Sequence, residues 1–382
     1  MAPFSLAIDG TAVFRRQPTG VDRYARGIVR ALVSVRPEWD VVLARWRTPD
    51  PAPYDAVDAG STRVRTSVLP RYGYRMAELV GLEVPFDLAT RVDADVWLFP
   101  DFVALPLRKA RPSVTVVHDL SFRIAQKTGL RMHRSYLERQ VARAVRCSTV
   151  VTVSAFVREQ VVDAYGISPH DVHIVSPGVD LELFRPASDA GRRRVRAELA
   201  LDRPYVLSVG ALHPRKNLCR LIAAYSGLGD LARDHDLILA GPTNRHSSRE
   251  LAAVHAYAGP GRVRTVGFVD EALLPALYAE AEVTVEASLY EGFGIPVLEA
   301  MACGSPVLAA SGSALVEAGG DAAGYVDPQD TAALTAALRC VLSGPALRQE
   351  RREAGVEWAR QHGWAASGER MAHVLEGAQA GR

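Results

Sequence analysis

The chain has 382 residues, 48% of them hydrophobic and 23% charged, which describes a soluble globular protein long enough for two domains. A net charge of +2 is too small to argue for nucleic acid, and four widely spaced cysteines without a CxxC or Cys/His pattern suggest neither a metal site nor a disulfide framework. The opening residues lack a basic segment followed by a long apolar core, and no run of about 18 apolar residues occurs. Neither a signal peptide nor a transmembrane helix is therefore expected, and the cytoplasm is the default location.

Taken in order, the pattern opens with a strand at Ser5–Asp9, then a loop with Gly10, Pro18 and Gly20, then a helix from Val21 to Val35. Gly20 before a helix fits close approach to a ligand. The loop is not the GxGxxG of a dinucleotide site, which argues against a dehydrogenase. Strands are expected at Val41–Ala44, Arg63–Leu69, Val96–Phe99 and Val114–Val117, with a loop over 49–60. The short apolar run Val114–Val117 is the pattern of a buried parallel strand. His118 and Asp119 stand at its carboxyl end, where open α/β sheets do their chemistry. His118 suits an acid, a base or a hydrogen-bond donor as well as a plain strand-end polar residue. Asp119 suits an N-cap or a charge near the reacting carbon.

A basic helix over Arg131–Val145, a strand at Thr149–Val153, a helix from Ala155 to Tyr165 and a strand at His173–Val175 complete the first half. Residues 1–185 carry a net charge of +5 and the remainder −3. Much of the excess lies between Arg123 and Arg146, where seven basic residues meet the single acid Glu138. Such a run is either a solvated helix face or a contact for an anionic acceptor or a membrane surface. SPGVDLELFRP, from Ser176 to Pro186, is irregular and marks the domain boundary.

The second half restarts the same alternation, which implies a second parallel sheet. Strands are expected at Tyr205–Val209, Asp236–Ala240, Val263–Val266, Val283–Glu286, Pro306–Ala309 and Gly324–Val326. Terminal helices over 346–376 are interrupted near Gly363-Trp364. The loop after the first of these strands, GALHPRKN, holds Arg215 and Lys216. With 42 arginines against three lysines, a retained lysine is worth noticing. Arginine offers phosphate a fork of donors and lysine a point charge, so the pair suits a diphosphate.

The richest stretch is EASLYEGFGIPVLEAMACGSPV, Glu286 to Val307. It reads as strand, glycine turn, helix, turn, strand. Gly292 and Gly294 break regular structure, Pro296 suits the first helical position, and Gly304 stops the helix. Glu291 precedes the glycines, and Glu299 is expected in the first helical turn. Amides at a helix start favour an anion, and ionised carboxylates accept hydrogen bonds from hydroxyls. Phosphate plus hydroxyls suggests a nucleotide sugar; taken alone, Glu299 would equally complement the helix dipole.

At this point the chain resembles the family 4 retaining glycosyltransferases, over nearly its whole length. The most specific part is the E-x7-E element from Glu291 to Glu299. GALHPRKN resembles the family's diphosphate loop, VHDLSF from Val117 its strand-end histidine motif, and PTGVDRY from Pro18 its N-terminal glycine loop. VTVSAFV and SPGVD match further family stretches in order.

The resemblance implies an α/β protein of the GT-B fold, two Rossmann-like doubly wound parallel-sheet domains facing a central cleft. Residues 1–182 would form the acceptor-side domain and 183–356 the nucleotide-sugar-binding domain, and 357–382 would cross back to the first. It implies that Arg215 and Lys216 bind the diphosphate, Glu299 the ribose hydroxyls and Glu291 the donor sugar. The main chain at Gly294–Ile295 and Gly20 would lie against phosphate or sugar, and that at Phe268–Val269 near the base. His118 would contact the donor sugar near the anomeric centre.

His118, Arg215, Lys216 and Glu291 are thus the candidate catalytic residues. Transfer of a hexose-type sugar from a GDP- or UDP-linked donor is expected, with retention, by front-side attack and without metal or other cofactor. The acceptor would be a saccharide, a lipid-linked saccharide or a small molecule, with no nucleic acid partner. A weakly active nucleotide-sugar-binding partner and a sugar-nucleotide epimerase are the competing readings. One departure stands out: the family often has an aromatic-Pro-Ser segment before the first glutamate, and here it is Glu286-Ala287-Ser288.

Overall fold

A computed structural model describes residues 4–15, 18–47, 62–79, 82–108, 111–124 and 131–381. The loop expected over 49–60, and Lys109 and Lys127, lie outside these. The chain forms two compact units. The first runs to Gly178 and resumes at Trp364, and the second is Val179–Gly363. The helix Pro345–Arg360 stays wholly with the second unit, where Gly355 packs so closely on Met301 that a Cβ would come within 3.2 Å of its Cγ. The chain returns at the helix Trp364–Ala380, after the break that the sequence marks near Gly363.

Seven parallel strands build the first unit: β1 (Ser5–Asp9), β2 (Asp40–Arg47), β3 (Thr62–Pro70), β4 (Val96–Phe99), β5 (Ser113–Val117), β6 (Thr149–Thr152) and β7 (Val172–Ile174). Their order is β3-β2-β1-β4-β5-β6-β7. The winding reverses between β1 and β4, and in open α/β sheets that is where ligands bind, beyond the carboxyl ends of the strands. β4 and β5 are buried throughout, as their apolar composition requires. β3 is a mostly exposed edge strand, so its sequence alternates weakly.

The helix Gly20–Val35 is capped by Asp22, whose carboxylate accepts from the Thr19 amide at 2.8 Å and hydroxyl at 2.7 Å. It takes the terminal helix against its buried face. Gly27 lies under the Trp364 ring, where a Cβ would approach to 2.2 Å, and Gly368 lies on Ala31. The Ser367 hydroxyl donates to the Ser176 carbonyl at 2.6 Å.

The second unit has β8 (Tyr205–Val209), β9 (Asp236–Ala240), β10 (Arg262–Gly267), β11 (Val283–Glu286), β12 (Val307–Ala310) and β13 (Gly324–Val326), all parallel, in the order β10-β9-β8-β11-β12-β13. Its switch point falls between β8 and β11. The loop after β8 carries Arg215 and Lys216, and the turn after β11 carries Glu291, so topology alone brings these two segments together.

Candidate active site

In the second unit the cation loop is stitched to the turn. The Leu289 amide donates to the Arg215 carbonyl at 2.8 Å, and Asn217 Nδ2 donates to the carbonyls of Ala287 at 3.1 Å and Pro328 at 2.8 Å. Gly210, at φ +149°, ends β8 and lets the Lys216 stem pass; a Cβ there would lie 2.7 Å from Lys216 Cε. Lys216 Nζ stands 3.0 Å from Glu286 Oε2 and 3.0 Å from Glu291 Oε1. Arg215 reaches Glu291 Oε2 at 2.6 Å and the Tyr290 carbonyl at 2.9 Å. Ser288 Oγ lies 2.6 Å from Glu286 Oε1 and 2.9 Å from Glu291 Oε1.

This cluster sets its own protonation. Burial opposes charge on Glu291, but Lys216 and Arg215 outweigh it and hold the carboxyl down at about 2. For Glu286 burial wins over the pull of Lys216, and the neighbouring Glu291 adds to it, so its carboxyl is raised. Burial likewise opposes charge on Lys216, but the two glutamates outweigh it and raise the ammonium above its ordinary range.

Gly294 adopts φ +119° beneath Leu315, whose Cδ2 would lie 2.6 Å from a Cβ. The helix that follows is Ile295–Ala302, so it starts one residue earlier than the sequence suggests, with Ile295 at the first position and Pro296 at the second. Glu299 accordingly falls past the first turn. It is buried and accepts from the Tyr278 hydroxyl at 3.1 Å. The helix ends in a Schellman arrangement, with Gly304 N–H on Met301 and Ser305 N–H on Ala300, Gly304 being at φ +79°. Phe268 and Val269 follow β10; the first is 44% exposed and the second buried.

In the first unit His118 is buried at the end of β5, with Nε2 2.7 Å from the Pro100 carbonyl oxygen. A carbonyl only accepts, so Nε2 carries the proton and Nδ1 presents a lone pair. Burial holds the imidazole below its ordinary value, against the opposing pull of the Pro100 carbonyl and of Asp101, Asp119 and Asp22. The Tyr24 ring meets it edge-on at 4.9 Å. Asp119 accepts at 2.9 Å from the amide of Ser121, the first residue of the short helix Ser121–Ile124. Gly20 is the first residue of its helix, with nothing within 4 Å of a Cβ position.

At the switch point of this unit lies a small open hollow lined by Asp9, Thr11, Trp46, Arg71, Tyr74 and Asp101 among others. Asp9 Oδ1 accepts from the Thr11 amide at 3.0 Å and also from its hydroxyl at 2.5 Å. Burial pushes the Asp9 carboxyl up, and the Thr11 bonds oppose it. Sequence reasoning missed Asp9 and Asp101, although each stands just where β1 or β4 ends and strand order reverses. Tyr278 and Ser288 left no signal, because each acts through a partner on another element or across a turn.

The basic run is partly neutralised: Arg123 pairs with Glu138 and Arg143 with Glu83, while 125–130 lie outside the described residues. No helix of the described residues is long and apolar enough to cross a membrane. Among the same residues no group of three or more His, Cys, Asp or Glu side chains is arranged to hold a metal ion.

Two doubly wound parallel sheets, one carrying paired cations and carboxylates on a glycine turn, define a transferase architecture of the GT-B type. The fold is shared with sucrose-phosphate synthase of Thermosynechococcus elongatus (TM-score 0.76, 22% identity, 99% of this chain and 100% of that one). It is shared also with HepE of Anabaena, solved with UDP and glucose (TM-score 0.74, 18% identity, 98% and 100%). Residues 191–358 match the model for glycosyl transferases group 1, and residues 18–183 that for glycosyltransferase family 4. The O-antigen chain mannosyltransferase B of Escherichia coli is 31% identical over 268 residues, 69% of this chain and 70% of that protein. A D-inositol 3-phosphate glycosyltransferase of Geodermatophilus obscurus is 32% identical over 289 residues, 73% of this chain but only 62% of that enzyme's length. The chain belongs to the group 1, family 4 glycosyltransferases.

Proposed function

We propose that the protein is a retaining, metal-independent hexosyltransferase using a GDP- or UDP-linked donor. The observation that carries this reading is the pairing of Arg215 and Lys216 with Glu291 at the second switch point. The cations meet the diphosphate and stabilise charge on the departing group, the part a metal plays elsewhere. Glu291 accepts from donor-sugar hydroxyls and Glu299 from the ribose. The Gly294–Ile295 amides and Gly20 approach phosphate or sugar, and the main chain at Phe268–Val269 meets the base. His118 accepts at Nδ1 from a donor-sugar hydroxyl near the anomeric carbon.

Attack is front-side. The acceptor oxygen bonds to the anomeric carbon as the bond to the diphosphate oxygen breaks, and that departing oxygen takes the acceptor's proton. The acceptor is a neutral hydroxyl-bearing saccharide or cyclitol held at the hollow of the first unit. Asp9 and Asp101 there outnumber Arg71, and Trp46 and Tyr74 supply an apolar wall. The related O-antigen chain mannosyltransferase supports a saccharide acceptor.

A thermal-shift panel of UDP-, GDP-, ADP- and dTDP-sugars, with chelator present, tests the donor. One base is expected to raise the unfolding temperature by mass action. Binding that requires added metal would overturn the metal-independent reading. Turnover of that donor with methyl α-mannopyranoside, methyl α-glucopyranoside or myo-inositol then tests the acceptor class and the stereochemistry. An inverted product anomer would exclude front-side attack.

A further inference from the structure

Glu286 is the charged residue of the cluster that the functional reading leaves without a task. It occupies the position where the family pattern has an aromatic residue, and it is buried to 97% beside the lysine that the reading assigns to the diphosphate. Counting protons around Ser288 gives it a role. Ser288 Oγ is within hydrogen-bond distance of a carboxylate oxygen of Glu286 and of one of Glu291, at 2.6 and 2.9 Å. A hydroxyl has one proton to donate, and ionised carboxylates have none. With both carboxylates ionised the two contacts share that one proton, and a proton on either carboxyl gives each contact its own. Glu291 faces two cations, Arg215 and Lys216, whereas Glu286 faces Lys216 alone. Glu286 is therefore the carboxyl of the pair that takes up a proton more readily, and once it does its O–H can donate to Ser288 while Ser288 donates to Glu291.

We propose that Glu286 is a positioning residue that competes with the diphosphate for Lys216, and that diphosphate binding is coupled to a proton held on Glu286. The proposal rests on the assignment of Arg215 and Lys216 to the diphosphate. When the diphosphate draws Lys216 toward itself, an ionised Glu286 is left buried, unpaired and close to a polyanion, which is the costly arrangement for a buried charge. A protonated Glu286 is a neutral carboxylic acid still bonded to Ser288 and carries no such cost. Low pH thus favours the bound state, and rising pH returns Lys216 to Glu286 and weakens the hold on the diphosphate. In the transfer reaction the same competition helps Lys216 release the product.

The test measures binding of inorganic pyrophosphate, which is independent of the base, by titration calorimetry with full-length protein between pH 5.5 and 8.5. Wild type is compared with Glu286→Gln and with Glu286→Met, an apolar replacement of similar size that guards against a folding failure of the first. Pyrophosphate titrates itself, so the informative quantity is the ratio of wild-type to variant Kd at each pH. That ratio is expected to lie near one at the acid end and to climb to roughly tenfold at the alkaline end, the variants binding more tightly. A ratio constant across the range overturns the proposal while the donor assignment stands. No pyrophosphate binding by the wild type, or unchanged binding in Lys216→Ala, overturns the donor assignment and the proposal with it.

Discussion

The two switch points solve different problems. At the second, every charge is answered by another charge: Lys216 by Glu286 and Glu291, Arg215 by Glu291. At the first, polar groups are oriented by the backbone and keep lone pairs to offer. His118 is fixed through Nε2 by the Pro100 carbonyl, and Asp9 through Oδ1 by Thr11. A polyanionic ligand needs strong positive charge, which must be neutralised while the site is empty. A hydroxyl-bearing ligand needs acceptors in fixed directions, and a neutral acceptor left unoccupied costs less than an unpaired buried charge.

The largest expected effect breaks the charge-paired side. Lys216→Ala should lower turnover by about 10²–10³-fold or more. It should also destabilise the second unit by about 3–5 kcal/mol, because Glu286 and Glu291 lose their common cation. Combining Lys216→Met with Glu286→Met separates the two effects: thermal stability should largely return and turnover should not. Near-normal turnover in Lys216→Ala would remove the lysine from the diphosphate. On the backbone-oriented side, His118→Ala should cost about 10–100-fold in turnover, the worth of one lost hydrogen bond to the donor sugar. Because the fold favours neutral His118, wild-type kcat at saturating donor should be flat above about pH 6.5 and fall as the imidazole takes up its proton below that. A kcat at saturating donor that falls instead toward alkaline pH would contradict the neutral imidazole.

Acid unfolding sharpens the contrast next. The Glu291 carboxyl is depressed to about 2, so its contribution is fully present above about pH 4.5 and is lost as pH falls from there toward 2. The shift corresponds to roughly 3 kcal/mol. Glu286 runs the opposite way: its raised value favours the protonated form in the fold, so its contribution is present at acid pH and is lost as pH rises through its folded value. Glu291→Gln should therefore flatten the acid limb of stability measured by urea unfolding at pH 3, 5 and 7. An unchanged acid limb would place the acid sensitivity elsewhere.

How legible each side was in the sequence follows from the same difference. Alternating strands and helices declare both sheets, and the carboxyl end of an apolar strand declares His118. Glu291, Arg215 and Lys216 stand on loops whose glycines mark them. What sequence does not carry is pairing across segments. Nothing in the order of residues says that Glu286 and Glu291 share Lys216, or that Ser288 bridges them, because β11 and the loop after β8 meet only through the strand order of the sheet. Glu299 shows the limit locally: one residue of slip in the helix start carries it out of the first turn and onto Tyr278. The return of the chain at Trp364 depends on Gly27 and Gly368, whose lack of a side chain is their function and leaves no apolar signature.

The smallest effects come from two glycines, one beside each switch point, that sequence alone treats alike. Gly210 sits at φ +149° with Lys216 Cε in the space a methyl would need. Gly210→Ala should destabilise by about 1–3 kcal/mol and should weaken pyrophosphate binding, because relief of the contact moves the lysine. Gly20 opens a helix with nothing within 4 Å of a Cβ position. Gly20→Ala should change stability by less than about 1 kcal/mol and in the stabilising direction, since alanine is the better helix former. Any loss of turnover in that variant therefore reports ligand approach to the Gly20 backbone rather than damage to the fold. Donor KM measured for Gly20→Ala and Gly210→Ala side by side separates the cases: a raised KM with unchanged unfolding temperature supports ligand contact at Gly20, and an unchanged KM removes it from the donor site.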